Sequence, residues 1–240
     1  ACDSGIFLEE AFAYLQDYCV QWYICNGQTD HLIETGIDLY KLPLQEKKDI
    51  LCSCIYGIDI DIHAVEVAKF SLLIKLIEDE TAPSVSEVVP ILPDLGDNIQ
   101  FGNSLVSQTE LNGISSANRQ MMEIAPFDWS TINNGCGFDV IIGNPPYVNT
   151  EGMHALLPSA EVEIYKKKYK TSHKQFDKYF IFIEQAINKI NENGLVCYIV
   201  PNKFFKIGAG EKLRNLIAKE RMLVSLDDFG DAQLFEDKTI

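Results

Sequence analysis

From Gly5 onward the apolar residues Phe7, Leu8, Ala11, Phe12, Leu15, Tyr18 and Cys19 recur at intervals of three and four. That is the period of an amphipathic helix laid against a core. Residues 26 to 49 break the period with Asn26-Gly27, Gly36 and Pro43 and read as a polar excursion, with a short helix at Leu44 to Ile50. The run Leu51 to Ile58 reads as a buried strand. Asp61 stands where a helix cap belongs, ahead of a stripe of Ala64, Val65, Ala68, Leu72, Ile74, Leu76 and Ile77 that stops at Thr81-Ala82-Pro83. A connection over 79 to 98 leads to a short strand at Ile99 to Phe101, and a second excursion fills 106 to 136.

Phe138-Asp139-Val140-Ile141-Ile142-Gly143 is a short apolar run ending at glycine, the pattern of a central parallel strand that opens into a functional loop. A long polar segment, 148 to 175, follows. Tyr179, Phe182, Ile183, Ala186, Ile187 and Ile190 then mark a helix, Asn193-Gly194 a turn and Leu195 to Val200 a strand. Helix 210 to 221 and strand 222 to 229 repeat the alternation, and Gly230 to Ile240 reads as a final hairpin strand. Alternating strands and helices predict an α/β fold, a mostly parallel sheet with helices on both faces and ligands beyond the carboxyl ends of the strands. The chain opens on a helix with no strand before it and stops inside a strand. It is therefore read as one domain, 1 to 240, cut from something longer.

Composition changes this picture little. With 240 residues and 47% hydrophobic content the chain can bury a sizeable core. No apolar run reaches the roughly 18 to 20 residues that span a bilayer, so no membrane partner and a cytoplasmic location are expected. The seven cysteines sit in apolar settings such as Tyr18-Cys19-Val20 and read as reduced core residues. Cys52-Ser53-Cys54 has the wrong spacing for zinc, and no metal is expected. The net charge of −15 argues against a nucleic-acid partner, which is held by neutralising phosphates. Against that stands one basic stretch, with Lys166, Lys167, Lys168, Lys170 and Lys174 inside nine residues; it suits a solvated helix face or a phosphate contact.

The chemistry concentrates in Asn144-Pro145-Pro146-Tyr147, directly after the strand at 138 to 142. An exocyclic amine conjugated to a ring is a poor nucleophile, because its lone pair is delocalised. The Asn144 side-chain oxygen and the Pro145 carbonyl are two acceptors that can take its hydrogens and pull the nitrogen toward tetrahedral geometry. Pro146 stiffens the turn, and Tyr147 offers a flat face for a base taken out of a stack. By itself the tetrapeptide also fits a proline-rich turn ending a strand.

Together these segments resemble the amino-methyltransferases. The opening Ala1-Cys2-Asp3-Ser4-Gly5-Ile6-Phe7-Leu8 is similar to their cofactor loop, with aspartate where the family usually has glycine. Tyr56-Gly57-Ile58-Asp59-Ile60-Asp61 resembles their second element, and Gly102-Asn103-Ser104-Leu105 their third. Ile199 to Phe205 and Asp228 to Phe235 resemble later elements of adenine-specific DNA enzymes.

The resemblance implies a Rossmann-like, S-adenosyl-L-methionine-dependent fold that methylates the adenine amino group in double-stranded DNA, in the gamma arrangement of restriction-modification enzymes. Ala1, Cys2, Ser4, Gly5 and Phe7 would hold the cofactor together with Asp59 and Ile60, Asn103 and Ser104, and Asn144. Asp59 would take the ribose and Asn103 the adenine ring. Phe235 would form the second aromatic wall for the flipped base; a hairpin core residue is the other reading. The lysines 166 to 174 would meet the DNA backbone. A first strand and a carboxyl-terminal target-recognition domain would be absent, 26 to 49 and 106 to 136 would be insertions, and a fused nuclease would fit the whole protein. A protein glutamine amide, an RNA guanine amine, a cytosine amine and an inactive binding module stay open as alternatives.

Overall fold

The computed structural model describes residues 2–81, 90–111, 123–219 and 221–230. Thr81 is thus the last described residue of the predicted helix stop, and Ala1, Phe235 and all of the predicted hairpin strand beyond Gly230 lie outside the described residues.

The predicted first helix forms as α1, Ile6–Cys25. The following excursion holds a short antiparallel hairpin, β1 (Ile33–Gly36) and β2 (Leu39–Lys41). Helix α2 spans Leu44–Cys54, so the strand predicted from Leu51 begins only after it. Leu44, Lys47, Lys48 and Leu51 are its buried positions, a spacing of three and four that a strand cannot present to one side. Strand β3 is Gly57–Asp59, buried at all three residues. Asp61 caps α3 (Ile62–Ile77) as expected, accepting the His63 N–H at 2.8 Å. β4 (Ile99–Phe101) pairs parallel with β3.

A single-turn helix α4, Gln108–Leu111, lies in the second excursion. β5, Phe138–Gly143, pairs parallel with β6, Ile190–Tyr198. The segment 148 to 175 is more ordered than its polarity suggests: it holds α5 (Thr150–Leu156) and α6 (Ser159–Lys168), whose Met153, Val162, Ile164 and Tyr165 are buried. Helix α7, Lys178–Lys189, carries Tyr179, Phe180, Ile181 and Phe182 into the same core. The Asn193-Gly194 pair is no turn but part of β6, where the register with β5 shifts. A Cβ on Gly194 would stand 2.4 Å from the Ile190 side chain and 2.9 Å from the Asp139 carbonyl, so close packing selects the glycine. After α8, Glu211–Lys219, residues 222 to 229 form no strand, and Leu223, Val224, Leu226 and Phe229 are exposed. Among the described residues that segment finds no neighbouring strand, and an extended chain without a ladder partner has no register to hold it.

The described strands thus make three two-stranded sheets, two of them parallel. The mixed α/β class and the parallel pairing agree with the sequence. Two main cores result: α1, α2 and α3 pack around β4 residue Ile99, while α5, α6, α7 and α8 close around Tyr165, Tyr179 and Phe180. β5 departs from the expected doubly buried strand, for Val140 is 60% exposed and Asp139 faces outward. Its edge away from β6 borders a cavity of about 730 Å³, whose other walls include β3, α1 and α7. Among the described residues no helix is long and apolar enough to cross a membrane.

Candidate active site

At the carboxyl end of β3 the first residues of the chain fold back on the strand. The Cys2 N–H donates to the Ile58 carbonyl at 3.0 Å, and the Asp3 N–H to Asp59 Oδ2 at 2.9 Å. The second Asp59 oxygen accepts from Asp61 N–H at 3.0 Å. Asp59 is 8% exposed, and its carboxylate is held at both oxygens with lone pairs left over. The turn needs two left-handed residues, Asp3 at φ +48° and Gly5 at φ +95°. Aspartate is one of the few residues that adopt that region readily, so it serves where the related loop has glycine. Gly5 has no such substitute, because a Cβ there would stand 3.0 Å from Ala68 of α3.

Burial and the nearby Asp59 charge push the Cys2 thiol up to about 11. Cys2 and Phe7 line the cavity beside β5, together with Ser104, Asn144 and Pro145. Five of the residues singled out in the sequence therefore share one concavity. Ser4 and Gly5 lie in the turn beside it, and Ile60 is exposed next to Asp59.

Asn103 is placed differently from its expected role. It is 4% exposed, and its amide nitrogen donates to Glu161 at 2.9 Å and to Tyr165 at 3.4 Å, while its oxygen accepts the Leu105 N–H. The side chain is spent on the core, which leaves Ser104 as the residue of this element that reaches the cavity.

The tetrapeptide leaves β5 at Gly143, whose carbonyl accepts the Ile199 N–H at 3.2 Å. Pro145 is buried, and Asn144, Pro146 and Tyr147 are half-buried. The Tyr147 hydroxyl contacts Asn144 Oδ1 and lies 2.8 Å from the Ile199 carbonyl. Its ring meets Tyr179 edge-on, with centroids 6.1 Å apart. Desolvation raises the Tyr147 phenol above its ordinary value, so it is a neutral donor at physiological pH. Among the described residues no protein donor meets the Pro145 carbonyl.

The lysine stretch lies at the end of α6 and beyond, and carboxylates meet three of its five members. Lys166 pairs with Glu163 at 3.4 Å, Lys168 with Glu110 at 2.9 Å and Lys174 with Glu211 at 3.9 Å. Lys168 also donates to the Leu105 carbonyl at 3.0 Å. Lys167 and Lys170 are exposed. Sequence reasoning did not anticipate Glu161 or Ile199, because nothing in their local pattern distinguishes a core carboxylate or a strand-end carbonyl.

Parallel strand pairs in an α/β scaffold, with an Asn-Pro-Pro-Tyr loop at a strand's carboxyl end opening on a cavity shared with a glycine turn, are consistent with the methyltransferase class. The Eco57I restriction-modification methylase family model matches residues 53–235, and the chain belongs to that family. It is 44% identical over 239 residues to the type II restriction enzyme and methyltransferase RM.Eco57I of Escherichia coli, covering 100% of this chain and 23% of that protein. It is 31% identical over 103 residues to the type II methyltransferase M.PaeR7I of Pseudomonas aeruginosa, covering 43% of this chain and 17% of the relative. A putative type II restriction enzyme and methyltransferase of Methanocaldococcus jannaschii is 37% identical over 112 residues, 47% of this chain and 9% of that protein. The chain therefore spans about a quarter or less of the length of these relatives.

Proposed function

We propose that this chain is the catalytic core of an S-adenosylmethionine-dependent methyltransferase that modifies the exocyclic amine of adenine in double-stranded DNA. One observation carries the reading: Asn144 and Pro145 open on the same cavity as Cys2 and Phe7 of the amino-terminal turn. The residues present fit the cofactor. Asp59 keeps acceptor capacity for ribose hydroxyls while the Asp3 and Asp61 amides hold it still. Cys2 and Gly5 belong to the turn and Phe7 to the first turn of α1, and Ile60 and Ser104 flank them. When bound, S-adenosylmethionine supplies an electrophilic methyl on a sulfonium.

The protein's part is positional and electrostatic. Asn144 Oδ1 and the Pro145 carbonyl accept the two amine hydrogens, which drives the nitrogen lone pair out of conjugation and toward the methyl carbon. The sulfonium would supply the methyl to this nitrogen and would keep the electron pair of its carbon–sulfur bond, and the surplus amine proton would pass to solvent. Tyr147 gives the base a stacking face. Lys167 and Lys170 are the members of the basic stretch best placed for phosphate, and the paired Lys166, Lys168 and Lys174 would have to exchange partners to join them.

In this reading the two parallel sheets belong to one Rossmann-like sheet: a further parallel strand fills the part of the cavity between the β3 and β5 backbones, and the mouth at their carboxyl ends, lined by Cys2, Phe7, Asn144 and Pro145, stays open for ligands. Target recognition and a fused nuclease belong to the rest of a longer, cytoplasmic protein, as the relatives' lengths and names suggest.

The test is methylation by a protein of the relatives' full length, with labelled cofactor and duplex DNA, RNA or protein as acceptor. N6-methyladenine in DNA is the expected product, and Asn144→Ala should lower the rate at least about 1000-fold while cofactor affinity changes less than about threefold. Label in cytosine, RNA guanine or a glutamine amide would overturn the substrate. Absence of heat with S-adenosylmethionine in calorimetry would overturn the cofactor.

A further inference from the structure

The tetrapeptide loop faces a shortage of donors. Pro145 and Pro146 have no N–H, so the loop cannot close on itself through its own backbone as an ordinary turn does. Ile199, at the end of β6, makes up the deficit from outside. Its N–H holds the Gly143 carbonyl at the entry, and its carbonyl lies 2.8 Å from the Tyr147 hydroxyl at the exit. The same hydroxyl contacts Asn144 Oδ1. A phenol has one hydrogen, so it serves one of these two acceptors at a time.

From this arrangement we propose that the Tyr147 hydroxyl is the positioning group of the loop, donating alternately to Asn144 Oδ1 and to the Ile199 carbonyl. The inference rests on the methyl-transfer reading above. With no amine present, the hydroxyl holds the Asn144 oxygen in place and fixes the amide plane. When an amine arrives and offers its hydrogen to Asn144 Oδ1, the phenolic hydrogen turns to Ile199, and the oxygen is released at full acceptor strength. The ring meanwhile does a separate job, since its edge-on contact with Tyr179 keeps it fixed whichever acceptor the hydroxyl serves. Tyr147 thus acts on the reaction through Asn144, and ring and hydroxyl are separable.

The experiment is Tyr147→Phe in a protein of the relatives' full length, beside Tyr147→Ala and Asn144→Ala. Phenylalanine keeps the stacking face and removes only the hydroxyl. The expected result is a roughly 10- to 100-fold fall in kcat, the scale of a misplaced catalytic group, with KM for DNA and for S-adenosylmethionine within about twofold of the parent. The fluorescence of 2-aminopurine at the target base should be unchanged in Tyr147→Phe and altered in Tyr147→Ala. A kcat for Tyr147→Phe within twofold of the parent would overturn the proposal, as would a loss confined to KM. An active Asn144→Ala would instead sink the methyl-transfer reading, so the two failures are distinct.

Discussion

Cys2 shows how much a single position gains from the tertiary structure. The polar Asp3 and Ser4 follow it in sequence, yet its thiol packs against Gly57, where an added Cβ would stand 3.1 Å from the sulfur. Burial and the Asp59 charge raise it from 9.0 to about 11. Two pK units leave about 100-fold less thiolate at pH 8.5 than an ordinary cysteine has. Iodoacetamide followed by peptide mass spectrometry should therefore label Cys2 at least tenfold more slowly than the exposed Cys25 and Cys136. The linkage has a definite sign. The folded state holds the Cys2 proton more tightly, so this contribution is whole below pH 9 and is lost as pH rises through about 11. Cys2→Ser should flatten the fall in stability across that window, measured by urea unfolding at fixed pH values. Equal labelling of all three cysteines would show that the turn does not bury Cys2.

Among the elements, α6 was the least legible. Its sequence reads as charged and polar, yet Glu161 is 1% exposed at its start. The carboxylate accepts from Asn103, contacts Tyr165 and lies 3.9 Å from Lys178 Nζ. Burial lowers the Lys178 ammonium below its ordinary value, and Glu161 offsets part of that. The group joins α6, α7 and the segment after β4 behind the loop of the candidate site. Glu161→Ala would leave a buried ammonium and amide unmatched, so about 3 kcal/mol of stability should be lost in denaturant unfolding. Glu161→Gln keeps the shape and the acceptor and should recover part of it. If Glu161→Ala were as stable as the parent, the network would not hold these elements together. A single-sequence reading misses such a residue because a buried charge is decided by partners about 20 to 60 positions away.

At the scale of the whole molecule, the cavity between β3 and β5 is an opening of about 730 Å³ among the described residues. Consecutive residues from Phe138 to Pro145 and from Ser53 to Ile58 border it, as strand and chain edges do. Cys2 already donates its backbone N–H to the Ile58 carbonyl on this edge. A strand seated there would satisfy both edges and join the two parallel sheets. If a parallel strand belongs there, a longer polypeptide that supplies it should melt at least about 5 °C higher than residues 1–240 alone. Its Ile58 and Val140 to Ile142 amides should exchange more slowly with deuterium. Unchanged melting and exchange would assign the cavity to something other than a strand.

Local pattern settled much of this protein. Helical period marked α1, α3 and α7; Asp61 marked a cap; Asn144 to Tyr147 stood out because two acceptors, a stiff turn and an aromatic face directly follow an apolar run. These features depend on neighbours within a few residues, which is the range over which capping, periodicity and turn chemistry act. Tertiary structure decided the rest. It extended α2 through the expected strand, since the burial of Leu51 is fixed by the helices it meets. It turned Asn103 into the core and paired Lys166, Lys168 and Lys174 with carboxylates, contacts that sequence proximity shows only in part. It also gave Tyr147 its hydroxyl partners, one of which, Ile199, lies 52 residues away. A side chain's role follows from which acceptors and charges the fold brings within reach, and only folding brings them there.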